Sequence, residues 1–264
     1  MLLTWAALYV LACAGCATCQ RRMIYFPPAI DPAIVGQLGR DEGLNRWSNA
    51  SGEPIGWKRL SVTQPASGQV LVLHGNAGCA FQCSQYADAI QQVSALDVFM
   101  IEYPGYADRP GKPTEQTLNQ AAEEGFQLLS TDEPLYVVGE SLGTGVAAFL
   151  AGKYPAKVSG LALLAPYNSL ADVAQAHVKI FPVRWFLQDQ FPSEDYLRSY
   201  RGPVAVLVGK KDTVIPAKFG RRLYDRYAGP KRLWEFPESD HDRLMTQPPQ
   251  VWRQIIEFWQ AKTP

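Results

Sequence analysis

The stretch Leu135 to Gly145, LYVVGESLGTG, decides how this chain is read. An apolar, β-rich run stops at Ser141, with Gly139 two residues before it and Gly143 two residues after it. This is the sequence form of a nucleophile elbow, in which a strand turns sharply into a helix and presents a serine hydroxyl at the tip. The flanking positions must be small because a strained turn brings the chain on either side into close approach. Three fixed positions recur by chance in unrelated chains, so the weight of the motif comes from its surroundings.

Outward from the elbow, short apolar runs alternate with helical periodicity. Val70 to Leu73, Val98 to Ile101, Leu135 to Val138, Gly160 to Leu164, Val204 to Val208 and Leu233 to Phe236 read as buried strands, and Trp57 to Thr63 as an edge strand. Phe81 to Leu96, Thr117 to Leu129, Leu142 to Lys153 and Gln250 to Lys262 read as helices, and Tyr25 to Trp47 as an extended wrapping segment. Strands alternating with helices predict an α/β domain, a mostly parallel sheet with helices on both faces. In such sheets ligands bind outside the carboxyl ends of the strands, where the polar and glycine-rich segments of this chain fall.

Ser169 to Tyr200 interrupts the rhythm. It carries Phe181, Trp185, Phe186, Phe191 and Tyr196, broken by prolines into short helical pieces. A long crossover after a strand end can fold over the site, so a lid insertion is expected over about 169–200. For most of these aromatics the competing reading is ordinary helix-on-sheet packing.

At 264 residues and 47% apolar, the chain suits one large core, a domain over 23–264 after a segment of 1–22. Twenty-five basic residues balance 25 acidic ones, which gives no field to attract nucleic acid. Lys210–Lys211 and Arg221–Arg222 read as solvated faces. The first nineteen residues carry no charge, and Arg21–Arg22 follow. As a helix they would extend about 28 Å, close to a bilayer core of roughly 30 Å. This predicts a signal or anchor segment and membrane association. Two forms stay open: a lipoprotein-type signal ending in Ala14-Gly15-Cys16, with export and lipidation at Cys16 in a bacterium, or an uncleaved anchor holding the domain at the cytoplasmic face, with Cys13, Cys16 and Cys19 as acylation sites. Cys79 and Cys83 read as small buried hydrophobes rather than a disulfide.

A serine hydroxyl needs a base in hydrogen-bond reach, oriented by a carboxylate. Of three histidines, His74 belongs to the glycine-rich loop after a strand, and His177 lies in the lid segment. His241 follows the last strand on the elbow's edge and is the expected general base. Asp212, after the strand and turn VAVLVGKKD, is the expected acid, in preference to Asp240 and Asp242 beside the base and to Glu194 and Asp195 in the lid. The developing oxyanion needs preorganised N–H donors. The backbone amide of Leu142 at a helix start is one, and that of Asn76 in His-Gly-Asn-Ala-Gly is the other, with Ala77 as the alternative.

LHGNAG at Leu73 to Gly78, EYPGYADRPGKPTE at Glu102 to Glu115, GESLGTG, PYNSL at Pro166 to Leu170, GKKDTVIP at Gly209 to Pro216 and the final His241 together resemble the α/β-hydrolase superfamily. Within it they look like the small membrane-tethered serine hydrolases of the ABHD-type and Bem-like branch. The resemblance runs from about Val70 to the C-terminus and implies the α/β-hydrolase fold with Ser141, Asp212 and His241 as its triad. The chain departs from the pattern at Glu102 to Arg109, where the family usually has Asp-Tyr-Arg-Gly-Tyr-Gly followed by a serine.

The expected activity is cleavage of carboxylic esters or thioesters through an acyl-enzyme, without metal or organic cofactor, on a lipid-like or acylated substrate near a membrane surface. Rival readings are a peptidase or amidase of the same fold and an inactive membrane-tethered binding module. Gly143, Gly145 and Ala148 also spell G-x-G-x-x-A, but the strand Gly160 to Leu164 ends in Ala165-Pro166, not in an acid that could hold a ribose. Oligomeric state is not legible in the sequence.

Overall fold

A computed structural model describes residues 20–130 and 132–261. Its strands are β1 Asn45–Ser48, β2 Pro54–Arg59, β3 Gly68–Leu73, β4 Leu96–Ile101, β5 Leu135–Glu140, β6 Val158–Leu164, β7 Val204–Gly209 and β8 Lys231–Phe236. They form one sheet in the order β1-β2-β4-β3-β5-β6-β7-β8. Pairing is antiparallel at β1/β2 and β2/β4 and parallel everywhere else. Every residue of β3 and β7 is buried, as continuous apolar runs covered on both faces require.

The helices are α1 Pro32–Asp41, α2 Ser84–Gln91, α3 Glu115–Gln127, α4 Gly143–Lys153, α5 Leu170–His177, α6 Val183–Phe186, α7 Ser193–Tyr196, α8 Ala217–Arg226, α9 His241–Met245 and α10 Pro249–Gln260. Helices α2 and α10 share one face of the sheet, joined by the edge-to-face pair Tyr86–Trp252. Helices α3 and α4 pack together on the other. The fold is therefore the α/β type with helices on both faces that the alternating pattern implies.

Two expectations for the N-terminal part are corrected. The segment from Tyr25 to Trp47 is not simply extended: it holds α1 and most of β1. Its prolines and aspartates act as helix starters rather than as loop markers, with the Asp31 carboxylate accepting from Ala33 N and Pro32 opening the helix. Gly43, at φ 69°, supplies the turn into β1. Because β1 pairs outside β2, the strand expected at the edge is interior, and it ends at Arg59 rather than Thr63. The helix expected over Phe81 to Leu96 is also shorter, a 3₁₀ turn Ala80–Cys83 followed by α2, while Leu96 already belongs to β4.

Cys79 and Cys83 are free and buried, and burial pushes both thiols well above their ordinary range. Among the described residues no helix is long and apolar enough to cross a membrane. The apolar run, Cys13, Cys16 and Cys19 lie outside the described residues. Residues 20–24 are helical and run directly into the pocket described below.

Candidate active site

Strand β5 delivers Glu140 and Ser141 to the carboxyl edge of the sheet, and α4 starts two residues later. Ser141 has φ 48°, a left-handed conformation that an L-residue holds only when its surroundings impose it. The surroundings do so through packing. A Cβ on Gly139 would stand 2.6 Å from the Gly143 carbonyl oxygen, and one on Gly143 would stand 2.1 Å from the Leu73 carbonyl oxygen. No side chain fits at either position, so the turn closes only with glycines flanking the serine. Ser141 N–H donates to Leu164 O at 2.8 Å, which ties the strained residue to β6.

Two further loops meet Ser141 because β7 and β8 are neighbours in register up to Gly209↔Phe236. Beyond that point the chains stay sewn together: Lys210 N–H donates to Phe236 O at 3.0 Å and Lys211 N–H to Ser239 O at 3.0 Å. One loop carries Asp212 and the other His241. Asp212 Oδ1 accepts from the amides of Val214 at 2.9 Å and Ile215 at 2.8 Å, which leaves Oδ2 for His241 Nδ1 at 2.8 Å. An ionised carboxylate only accepts, so Nδ1 carries the proton and the Nε2 lone pair faces the Ser141 hydroxyl, 3.0 Å away. Asp212 is buried and His241 is partly exposed.

Three of the four rival acids are engaged elsewhere, and Asp242 is exposed on α9 without a hydrogen bond to His241. Asp240 accepts from Arg243 N–H and caps α9, Asp195 pairs with Arg198, and Glu194 faces Arg222. His74 has both ring nitrogens occupied, Nε2 by Glu102 Oε1 at 3.0 Å and Nδ1 by Gly75 O at 2.7 Å, so neither is available as a base. His177 reaches the same cavity as Ser141 but spends Nε2 on Val214 O at 2.9 Å.

Asn76 and Leu142 line the cavity with Ser141, and among the described residues neither backbone amide donates to a protein acceptor. Gly75 N–H is already given to Glu140 Oε1 at 2.8 Å, and Ala77 does not line the cavity. Glu140 is a residue that sequence reasoning passed over. Its second oxygen takes the Tyr86 hydroxyl, so the residue before the elbow serine pins the glycine loop to α2. A carboxylate ending an apolar strand was the available signal.

The Asn76 side chain was also missed. Its amide donates to Ile24 O, and its Oδ1 accepts from Phe26 N–H at 3.0 Å and from the Tyr106 hydroxyl at 2.8 Å. It thereby joins the glycine loop to residues 20–26 and to the segment Glu102 to Arg109. In that segment Ala107 takes φ 45° where the family usually has glycine, and the Arg109 guanidinium holds the loop through Glu102 O at 2.6 Å and the Glu124 carboxylate.

The cavity above Ser141 has a volume of about 530 Å³. Leu170, Val173, Val178, Phe181 and Leu187 form one apolar wall, Ile215 closes another side, and Met23, Ile24 and Phe26 complete the rim. The aromatics of Ser169 to Tyr200 divide between duties. Phe191 and Tyr196 pack on α4, Phe181 and Phe186 face the cavity, and Trp185 projects into solvent. The glycines of G-x-G-x-x-A serve packing: Gly143 abuts Leu73 O, and a Cβ on Gly145 would meet the Tyr167 hydroxyl at 2.5 Å. Among the described residues no group of three or more His, Cys, Asp or Glu side chains could hold a metal ion.

A family model described as the alpha/beta hydrolase fold matches residues 68–189. An uncharacterized protein of Mycobacterium tuberculosis (strain H37Rv) is 35% identical over 232 residues, which covers 84% of this chain and 80% of that protein. The chain belongs to the α/β-hydrolase superfamily. Its likeness to the ABHD-type branch is carried by the lysophosphatidylserine lipase ABHD12 of Xenopus tropicalis, 28% identical over 213 residues. That match covers 72% of this chain, which spans about half of the relative's length (54%). Among solved structures, the Pyrococcus furiosus esterase Pf2001 superposes with a TM-score of 0.63 at 13% identity, over 89% of this chain and 97% of that one. At that identity the superposition speaks for the fold alone. The hydrolase fold and these relatives support hydrolase activity.

Proposed function

We propose that this α/β-hydrolase is a serine hydrolase that cleaves carboxylic esters or thioesters through an acyl-enzyme on Ser141. The observation that carries the reading is the unbroken hydrogen-bond line from Ser141 Oγ through His241 to Asp212, at 3.0 and 2.8 Å, beneath an apolar cavity. His241 Nε2 takes the hydroxyl proton as Oγ attacks the acyl carbon. Asp212 stabilises the imidazolium and fixes its tautomer. The backbone amides of Leu142 and Asn76 receive the oxyanion, a contribution of about 3 kcal/mol per donor in comparable sites. His241 then protonates the leaving alcohol or thiol, and water, activated by the same ring, releases the acid.

The substrate class is a lipid-like monoacyl ester. A cavity of about 530 Å³ lined by aliphatic and aromatic side chains suits an acyl chain, and one relative is named a lysophosphatidylserine lipase. The segment 169–200 acts as a lid, the domain spans 23–264, and the uncharged run before Gln20 holds the enzyme at a membrane. Hydrolysis of monoacyl esters of rising chain length, beside matched thioesters and anilides, tests the reading. Turnover of esters or thioesters, lost in Ser141→Ala, is expected. Faster turnover of anilides would favour an amidase, and no turnover by folded protein would favour a binding module.

A further inference from the structure

Among the described residues ten large apolar side chains are exposed, and they are unevenly distributed. Met23, Phe26, Ile180, Trp185, Phe186 and Val214 lie on or beside the rim of the Ser141 cavity. Leu60, Val62 and Leu128 follow elements that end at the opposite edge of the sheet, and Ile34 is on α1. Trp185 is 83% exposed and Met23 60%, although tryptophan and methionine are costly to leave in water. An apolar ring of this kind around a cavity mouth marks an interaction surface.

Its charges select the partner. Residues 20–26 and 178–188, the two stretches that carry most of the ring, contain Arg21, Arg22, Lys179 and Arg184 and no acidic residue. The acids behind them, Asp189 and Asp172, are nearly buried and face Arg21 at 3.0 Å and Arg184 at 2.9 Å. Tryptophan, aliphatic side chains and arginine or lysine on one face are the composition of a surface that enters the headgroup layer of an anionic bilayer. With Arg21 and Arg184 matched by those acids, Arg22 and Lys179 are left to meet external anions, which a lipid leaflet supplies at mobile positions.

The chain's connectivity gives the same answer. The nineteen uncharged residues end one residue before Gln20, which itself lines the cavity. Successive Cα atoms are about 3.8 Å apart, so a bilayer that takes up the run meets the protein at the cavity mouth. The Arg21–Asp189 pair and the bonds of Asn76 to Ile24 and Phe26 keep that junction fixed to the domain.

We infer that the rim formed by Met23, Phe26, Trp185, Phe186 and Val214 inserts into the outer layer of an anionic lipid bilayer, so that the cavity opens onto the membrane and an acyl chain enters without crossing water. This rests on the proposed membrane attachment and deepens the lipid-ester reading. The test uses the full chain with Trp5→Phe, which removes the tryptophan of the uncharged run, in phosphatidylcholine–phosphatidylglycerol vesicles whose acyl chains carry bromine. Tryptophan fluorescence is expected to fall relative to unbrominated vesicles, and the fall should be largely lost in Trp5→Phe/Trp185→Phe. Protein that floats with the vesicles but shows no such quenching would overturn the rim insertion and leave the attachment standing. Protein that does not float would overturn both. Neither result bears on hydrolysis, which a soluble short-chain ester reports separately.

Discussion

Ser141 lines the cavity and Trp185 stands outside its rim, exposed to solvent, and their surroundings are built on opposite principles. Around Ser141 the chain is tightly constrained: two glycines have no room for a methyl group, the serine is held at φ 48° and bonded to β6, and the loops carrying Asp212 and His241 are cross-linked by backbone hydrogen bonds. Around Trp185 the chain forms a four-residue helix with no buried residue, held by the Arg184–Asp172 ion pair and by a few backbone bonds. The strained wall is supported by the most deeply buried strands, and the loose wall by surface contacts. Geometry that must be accurate to a few tenths of an ångström sits on the sheet. In the proposed reading, selection of the acyl chain and of the membrane falls to this outer segment.

The comparison breaks first if the two walls share the chemistry. His241→Ala and Asp212→Asn are expected to lower kcat for ester hydrolysis by about 10⁴-fold with little change in melting temperature. Phe186→Ala should alter kcat by less than about threefold if that wall is remote from the reacting atoms. Steady-state kinetics beside thermal melts separate the two.

The next effect is on folding. Gly143→Ala places a methyl group 2.1 Å from the Leu73 carbonyl oxygen and is expected to cost more than about 3 kcal/mol. Trp185→Ala, on the exposed wall, should stay within about 0.5 kcal/mol of the parent. Urea denaturation of both would remove the contrast if the costs came out alike.

A smaller effect sharpens the division of labour. Ala174→Phe, which narrows the half-buried cover side of the cavity, should reduce kcat/KM for long-chain esters about tenfold while sparing acetyl esters. A uniform loss across chain lengths would mean that the cover also positions the reacting carbonyl. The smallest effect is expected on the solvent side of the segment 169–200. Arg198→Ala removes an exposed ion pair with Asp195 and should cost no more than about 1 kcal/mol.

The same contrast explains what was legible in the sequence. Strands β3, β5 and β7 are buried on both faces, so their apolar runs stand out, and the positions just beyond their ends point to Ser141, Asp212 and the Asn76 loop. Ser141, His241 and Asp212 stand within hydrogen-bond reach of one another in that order. Illegible were the features that depend on contacts between distant segments. The four-residue β1 has one buried position, and α1 is amphipathic but surrounded by Pro, Gly and Asp, so neither emerges from a local pattern. Glu140 clamps Gly75, a contact that the elbow motif does not announce. The bonds from Asn76 to Ile24 and Phe26 span about fifty residues, and nothing in the sequence announces them. The edge position of β1 is likewise a matter of sheet order, which periodicity does not encode.

The central claim, that the strained sheet-edge wall makes Ser141 a nucleophile, is tested most directly by reacting the folded protein with a fluorophosphonate and locating the adduct by mass spectrometry. The account predicts one adduct at Ser141, absent in Ser141→Ala and strongly reduced in His241→Ala. Folded protein that takes no label at Ser141, or that labels equally without His241, would contradict it.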